Sequence, residues 1–335
     1  MSSIDVSSTR TLLNVQTLDS QDANIPADLH EEEEHEHAGE ALANMSVGEK
    51  IAVLALVLFP MLGVIGAAFM LWGHGFGWAE LSVTVALYVI TALGITVGFH
   101  RQLTHGSFDS PRWVRVMWAI FGSMAAQGPV LTWVGVHRKH HQHSDHDGDP
   151  HSPHLHGSGV AAQVKGFFHA HVGWMFLPKP DTDRYIPDVT KDKALVWVDK
   201  LFIAWVALGM AIPAVIVGLV QQSWMGALSG LVWGGLVRIC LLHHVTWSIN
   251  SVCHVWGSRD YKSHDHSTNN WVFAILGMGE GWHNNHHAFP TSARHGLKWY
   301  QFDLSYVVIK AMSFVGLARK LRIPSQDRLD AKRAK

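Results

Sequence analysis

Four long apolar runs dominate the pattern of hydrophobic and polar positions along the chain. They cover approximately residues 51–72, 79–99, 201–220 and 224–242. Each approaches the ~20 residues that a helix needs to cross the hydrocarbon core of a bilayer. The runs form two pairs, because only the short links 73–78 and 221–223 separate the members of each pair. The pattern therefore predicts an all-α integral membrane protein with four transmembrane helices in two hairpins.

The distribution of basic residues predicts how these hairpins are oriented. Neither link contains Lys or Arg, whereas basic residues flank the opposite ends of the runs. These residues are Lys50, Arg101, Lys191, Lys193, Lys200 and the basic stretch 319–335. Because cytoplasmic segments carry the excess of Lys and Arg, both termini are expected on the cytoplasmic side. Trp72, Trp78, Trp197 and Trp224 lie near the expected interfaces, where indole rings favour the headgroup layer. Four core helices of a large soluble protein are the alternative, and hairpin links free of Lys and Arg favour the membrane.

Three other segments differ from these runs. Residues 111–126 are apolar but begin with two arginines, which predicts a helix that lies on or dips into the interface. The stretch 145–160 is rich in His, Gly, Asp and Pro and predicts a polar loop. The start of the chain lacks an apolar run and contains an acidic, His-bearing stretch at 31–37, which indicates a disordered tail. The expected division is a tail over 1–45, a membrane domain over 46–321 and a basic tail over 322–335.

Composition adds one strong indication. The net charge of −1 gives no sign of a nucleic-acid partner. The two cysteines, Cys240 and Cys253, lie in apolar or histidine-bearing sequence, so neither a disulfide framework nor a thiolate metal site is expected. The chain has 25 histidines, however, nearly as many as its 26 Lys and Arg residues. A packed core has no use for so many imidazoles.

Three short clusters contain eight of these histidines. The clusters are His100 and His105; His137, His140 and His141; and His283, His286 and His287. In the second and third clusters, the HxxHH spacing places three imidazoles on one helical face. In the first cluster, five residues turn an α-helix by about 500°, so the two rings diverge by about 140° unless the helix ends or bends there.

The hairpin topology brings the three clusters to the same face of the membrane, in a histidine-rich cytoplasmic cap. Eight imidazoles are more than one ion can bind, so two metal ions are predicted. Imidazole suits Fe, Zn, Cu and Ni alike, so the ligand type leaves the metal open. Surface histidines without a metal are the alternative, which two HxxHH clusters beside four membrane runs disfavour.

The remaining histidines are expected to have supporting roles or none. His243 and His244 end the fourth run and are interpreted as interfacial or supporting groups. Solvated loop positions are predicted for His143, His146, His151, His154 and His156. Hydrogen bonds to the metal ligands are considered for His169, His171, His264, His266 and His295.

With these residues in place, the chain resembles the integral-membrane acyl-CoA desaturases of the stearoyl Δ9 type. Its segments HRQLTH, HRKHH and GEGWHNNHHAFP are similar to the three histidine boxes of that family in order and spacing. The run from Asn250 to His254 resembles the family's NSxxH motif, and HVGW from His171 to Trp174 adds a further match. The resemblance covers about residues 47–321 and implies a di-iron enzyme.

The resemblance implies a separate ligand set for each iron. One iron would be bound by His100, His105, His137, His141 and His286. The other would be bound by His140, His254, His283 and His287, with Asn250 nearby through a water. His254 is implied by the resemblance alone, because spacing points only to the eight clustered histidines.

An acyl channel is also implied. Gln127, Trp133 and Thr246 correspond to the family positions that enclose a kink in the substrate tunnel, and Trp247 to a tryptophan that contacts substrate. The closed end of the tunnel corresponds to Tyr88 and Ala92, which lie one helical turn apart. These agreements imply Δ9 desaturation of a long saturated chain of the stearoyl type.

The resemblance is weaker where the family binds coenzyme A. Uncharged residues replace the polar or basic contacts at Gly128, Gly135, Val136 and Pro178, and only Lys179 keeps its charge. Phosphates are normally held by Arg or Lys. The acyl carrier is therefore left open between coenzyme A, as in conversion of stearoyl-CoA to oleoyl-CoA, a lipid and a carrier protein.

The implied reaction needs O2 and a source of electrons. Reducing O2 to water takes four electrons, of which the alkyl chain supplies two. No haem-attachment motif, iron–sulfur cysteine set or flavin fingerprint occurs in the sequence, so a separate donor is expected. A ferredoxin with its reductase, or a b-type cytochrome, is suitable. The pattern is closer to bacterial members, which lack a fused haem domain, and this indicates a bacterial inner membrane.

Two other functions are alternatives to desaturation. A hydroxylase of alkanes or lipids shares such histidine boxes, and the kink residues disfavour it. A metal transporter would place charged groups along a path through the membrane. The only charged residues within the four runs are Glu80 and Arg238, each expected near a helix end.

Overall fold

The computed structural model describes residues 45–74 and 76–334, so the predicted tail lies outside the described residues except for Met45. In chain order the α-helices are α1 (Val47–His74), α2 (Trp78–Leu93), α3 (Arg112–Ser123), α4 (Val130–His143), α5 (Val160–His171), α6 (Lys193–Lys200), α7 (Phe202–Gln221), α8 (Trp224–Gly230), α9 (Arg238–Asn250), α10 (Trp271–Leu276), α11 (His283–Ala288), α12 (Leu304–Phe314) and α13 (Gln326–Lys332). Two π-helices are π1 (Gly94–Thr104) and π2 (Leu231–Val237), and the 3₁₀-helices are Gly173–Phe176, Asp183–Tyr185 and Val252–His254. The described residues contain isolated bridges but no strand.

Four continuous helical stretches are long and apolar enough to cross a membrane, which confirms the predicted fold class. They are Val47–Leu71, Trp78–Thr104, Phe202–Gln221 and Trp224–His254, here called the first to fourth spans. The second and fourth spans lie at the centre of the protein, and the first and third pack around them. Trp78 and Trp224 begin the second and fourth spans and are 83% and 91% exposed, as expected of indoles at an interface.

The fourth span differs from its prediction. The apolar run ends at residue 242, but the helix continues to His254. Arg238 therefore lies in the interior of the span, and its expected place near a helix end is wrong. Its guanidinium is fully buried and donates to the carbonyl oxygens of Met124 and Gly209, at 2.9 and 3.2 Å. These bonds join three helical segments, so the guanidinium donors of Arg238 are used in packing contacts.

Close backbone contacts position π1. At Gly94 an added Cβ would lie 2.2 Å from the backbone nitrogen of Gly122 in α3, so only glycine permits this approach. The helix α3 buries Val114, Trp118 and Ala119 against this region and leaves Trp113 exposed. It is the amphipathic helix predicted from residues 111–126.

A histidine-rich cap covers one end of the central spans. It contains α4, α11 and the loop that follows α4, together with the C-terminal helices. Within the last segment, the Lys332 ammonium donates to the Ala288 carbonyl at 2.7 Å and Leu329 packs near Tyr261 and Phe289. The division into a membrane domain and a basic tail stays a prediction.

Candidate metal centre

Five histidines meet at the end of π1. They are His100 in π1, His105 directly after it, His137 and His141 in α4, and His286 in α11. One ring nitrogen from each lies within 4.8 Å of the others. The Nε2 atoms of His286 and His100 are 3.0 Å apart, and those of His286 and His141 are 2.8 Å apart. We call this group the five-histidine cluster.

The π-helix explains how the first sequence cluster reaches one site. Hydrogen bonds in a π-helix join residues five apart, and the His105 amide donates to the His100 carbonyl at 3.1 Å. This wider winding brings residues five apart onto one face, and the two ring centroids are 4.8 Å apart. The helix ends at Thr104, as the spacing requires, but the change in winding is what aligns the rings.

Four further histidines form a second group beside the first. The four-histidine cluster contains His140 of α4, His254 after α9, and His283 and His287 of α11. The Nε2 atoms of His254 and His283 are 3.0 Å apart. All four side chains are buried. Each HxxHH motif thus contributes to both clusters, because its three imidazoles divide between two adjacent sites.

Buried carboxylates hold several of these imidazoles by their Nδ1 atoms. The partners are Asp149 for His140 at 2.9 Å, Asp145 for His254 at 2.8 Å, Asp265 for His287 at 2.5 Å and Glu280 for His100 at 2.6 Å. Burial alone would raise the pKa of Asp145 and of Asp265, but hydrogen bonds and the neighbouring imidazoles hold both well below the usual range. With Nδ1 bonded to a carboxylate, Nε2 is left to face the cluster.

Sequence reasoning missed these carboxylates. Asp145 and Asp149 lie in the predicted loop, whose residues between α4 and α5 form no long helix, but both side chains are buried. Acidic residues at regular intervals directly after a histidine motif were the available signal. Such spacing predicts that these carboxylates bond the ligand histidines only once the loop is known to fold back onto α4.

The arrangement fits a pair of metal ions. Burial lowers the pKa of His137, His141, His283 and His286 well below the ordinary value, so these rings are neutral and offer a lone pair. Metal–imidazole bonds of about 2.1 Å place adjacent ligand nitrogens about 3 Å apart, which agrees with the 2.8 to 3.1 Å separations. The buried Nε2 atoms of His105 and His287 have no hydrogen-bond partner among the described residues.

The predictions for the other histidines have different outcomes. The prediction of a solvated ring is wrong for His151, which is 3% exposed and packs on His140 with centroids 4.3 Å apart. The His295 ring lies 4.5 Å from that of His286, beside the five-histidine cluster. His243 contacts the Ala125 and Ala126 carbonyls, and His171 pairs with Ser251 and His244 and with no cluster histidine.

An apolar cavity adjoins both clusters. Of the residues that the resemblance assigns to the site, its lining includes Ala92, Trp133, Thr246, Asn250, His100, His137 and His283. Trp133 stacks on His137 with ring centroids 5.0 Å apart, and the Gln127 amide donates to the Thr246 hydroxyl at 2.8 Å. The predicted kink residues therefore lie where the cavity meets the histidines.

Four predicted substrate positions lie outside this lining, and one of them is Gln127, which reaches it only through Thr246. The Tyr88 hydroxyl donates to the Leu276 carbonyl at 2.9 Å. Trp247 is buried against the rings of His171, His243 and His244. Lys179 is exposed. Their roles in substrate binding stay predictions.

Comparison with known proteins agrees with this geometry. Residues 76–313 match the model of the fatty acid desaturase family. The chain is 40% identical over 264 residues to the sn-1 stearoyl-lipid 9-desaturase of Anabaena variabilis, covering 77% of this chain and 90% of that protein. It is 39% identical over 279 residues to the hex-5-enoyl-[acyl-carrier protein] acetylenase of Moorena producens, covering 82% and 87%. It is 39% identical over 257 residues to the acyl-CoA C20 Delta5-desaturase of Anemone leveillei, covering 75% and 76%.

Proposed function

Because this chain belongs to the fatty acid desaturase family, we propose that it introduces a Δ9 double bond into a long saturated acyl chain. The enzyme is an oxidoreductase of fatty acyl groups, and the proposed reaction consumes O2. The observation that carries the proposal is the meeting of two histidine clusters with one apolar cavity. Such a cavity excludes water from the chain while exposing a short part of it to the clusters.

Two iron ions are proposed as the cofactor. The five-histidine cluster would hold one iron and the four-histidine cluster the other, with Asn250 on the cavity wall as a partner through a water. When bound, the iron pair supplies the reduction of O2 and the oxidation of unactivated C–H bonds. The protein holds the imidazoles neutral and fixes their orientation through the carboxylates bonded to Nδ1.

The position of the double bond is proposed to follow from the bend beside the histidines. The hydrogen bond from Gln127 to Thr246 joins α9 to the turn before α4, and Trp133 leans on His137. A chain that runs along this wall presents a fixed methylene pair to the clusters. Ala92, fully buried on the cavity wall, is proposed to limit chain length.

The proposed acyl carrier is a glycerolipid, and the proposed substrate is a stearoyl chain esterified to it. The relatives compared above act, by their names, on lipid, carrier-protein and coenzyme A substrates, so similarity alone does not choose among these carriers. Gly128, Gly135 and Val136 offer no positive charge where a coenzyme A phosphate would need one. Lys179, the one basic residue kept at these positions, is exposed.

A separate electron donor is proposed, since the two cysteines are too few for an iron–sulfur set and both are buried. A ferredoxin with its reductase or a b-type cytochrome would dock on the cap. The distribution of Lys and Arg favours a cap that faces the cytoplasm, with the protein in a bacterial inner membrane.

The proposal is tested by expressing the full chain with a ferredoxin–reductase pair and profiling host fatty acids by gas chromatography and mass spectrometry. New Δ9 monounsaturated chains in glycerolipids are expected, and none with His286→Ala. Metal analysis of both purified proteins is the control, with iron expected to fall in the variant. Alkynes or hydroxylated chains would replace the proposed reaction with acetylenation or hydroxylation. Δ9 monounsaturated chains that appear in acyl-CoA before they appear in glycerolipids would overturn the proposed carrier.

A further inference from the structure

We infer that the two clusters bind metal ions with unequal strength, so that the four-histidine cluster fills first and releases its ion last. This inference rests on the proposed metal centre. It concerns the carboxylates bonded to the histidine Nδ1 atoms, whose number and ion-pair partners differ between the two sites. Identical loading of both sites would be expected if only the number of imidazoles mattered, and the larger number lies in the other cluster.

Three of the four imidazoles in the four-histidine cluster are bonded to aspartates. Asp149, Asp145 and Asp265 lie 2.9, 2.8 and 2.5 Å from the Nδ1 atoms of His140, His254 and His287. The side chains of all three aspartates are completely buried.

No cation is paired with these aspartates among residues 45–74 and 76–334 apart from the histidines themselves. Their other hydrogen bonds come from hydroxyl and backbone N–H groups. Asp145 accepts from Ser152, and Asp265 accepts from Ser263 and Ser267. Arg259 lies beside Asp265, but its guanidinium donates to the Asp265 backbone carbonyl, at 2.6 Å. Among the described residues, the three carboxylates therefore act on the cluster without an ion pair to Lys or Arg.

The five-histidine cluster has a different surrounding. Among the described residues, His100 alone in this cluster is bonded to a carboxylate, that of Glu280 at 2.6 Å. Glu280 is shared with the buried guanidinium of Arg101 at 3.1 Å, which also pairs with Asp303 at 2.9 Å. The single positive charge of Arg101 is shared between two carboxylates, so Glu280 is balanced in part.

A carboxylate that accepts from Nδ1 makes Nε2 a stronger donor to a metal, and loss of one such partner typically weakens metal binding about 10–100-fold. Buried charges also attract a cation strongly, because little water screens them. Three carboxylates that have no Lys or Arg in an ion pair, against one that pairs with Arg101, should outweigh one additional imidazole. We expect at least a ~10-fold difference in dissociation constant between the two sites.

The test is a titration of the purified, metal-free full chain with Co²⁺ in detergent, followed by visible absorption in the presence of a competing chelator. Two classes of site are expected, one Co²⁺ each. His137→Ala removes a ligand of the five-histidine cluster and should leave the tight class unchanged. His283→Ala is its match in the four-histidine cluster, since neither ring is bonded to a carboxylate, and it should abolish the tight class.

A second pair of variants examines the carboxylates directly. Asp265→Asn keeps the shape of the side chain and should weaken the tight class about 10–100-fold. Glu280→Gln should leave the tight class unchanged. Size-exclusion profiles confirm that each variant is folded, and the histidine pair decides the question if an aspartate variant aggregates.

Two results would overturn the inference. Equal dissociation constants, or loss of the tight class in His137→Ala, would show that the carboxylates do not set the order of loading, while leaving the proposed desaturation intact. A wild-type chain that binds no Co²⁺ and no Fe²⁺ would instead remove the proposed metal centre, and this inference with it.

Discussion

The outer and central spans share length and apolar character, but they differ in what surrounds them. Only 17% of the first span's apolar window and 17% of the third's are buried within the protein, against 50% for the second and 61% for the fourth. Both π-helices and the ligand-bearing ends belong to the central pair. Most of the surface of the outer pair is not covered by protein and is expected to face lipid, where a helix needs only apolar side chains. The central pair can carry polar groups because neighbouring helices supply their hydrogen bonds.

The strongest test of this contrast replaces one glycine of a central span and one glycine of an outer span with alanine. Gly94→Ala places a Cβ 2.2 Å from the Gly122 backbone nitrogen, and the backbone of α3 must move to accept it. Overpacking of this kind costs about 1–3 kcal/mol or more, and displacement of π1 should also abolish desaturation. Thermal unfolding in detergent and product analysis give the readouts.

Gly66→Ala in the first span is the matched control. Its Cβ would meet nothing closer than Val232 at 3.9 Å, so stability should be unchanged or rise by up to about 1 kcal/mol through helix propensity. Equal losses in both variants would contradict the distinction between the spans.

A loss of stability of similar size is expected at Arg238. Arg238→Met leaves the carbonyls of Met124 and Gly209 without their donor. Unsatisfied buried groups cost about 1–3 kcal/mol each, partly offset by relief of the buried charge, and a net loss of about 2–4 kcal/mol is expected. Unfolding temperatures of wild type, Arg238→Met and Arg238→Lys measure it, with lysine expected between the other two. An unchanged Arg238→Met protein would mean that these bonds do not hold the central helices together.

The outer spans and most of the site could be predicted from the sequence, because lipid-facing helices and HxxHH spacing are local signals. The end of the fourth span could not be predicted so easily. Its last turns contain polar residues such as His243, whose ring nitrogen contacts the carbonyl of Ala125, 118 residues away.

The π-helical winding and the carboxylates that bond the histidines could not be predicted for the same reason, because both depend on contacts between distant segments. The π-helix that aligns His100 with His105 begins at Gly94, where the backbone packs against Gly122, and no hydrophobic periodicity indicates this contact. Asp265 reaches His287 across 22 residues of chain. His254 lies outside the HxxHH motifs, and only the family resemblance indicated it.

A smaller effect, on product and not on stability, is expected at the far end of the cavity. Ala92→Leu fills part of the buried cavity wall and should shift the products toward shorter chains. Ala68→Leu adds the same side chain to an exposed position of the first span and should leave chain length unchanged. Fatty-acid profiles of the two variants make the comparison. An unchanged profile for Ala92→Leu would remove this residue from the proposed channel end.

The smallest effect is expected on the lipid-facing surface itself. Leu62 in the first span is 59% exposed, so Leu62→Ala opens no cavity inside the protein, and its unfolding temperature should remain near the wild-type value. Leu242→Ala in the fourth span removes a side chain that is 2% exposed and lines the cavity, for which about 2–5 kcal/mol is typical. Parallel melts in one detergent measure both. A marked loss in Leu62→Ala would indicate that the first span packs against a protein surface, and the division into lipid-facing and central spans would then fail for that helix.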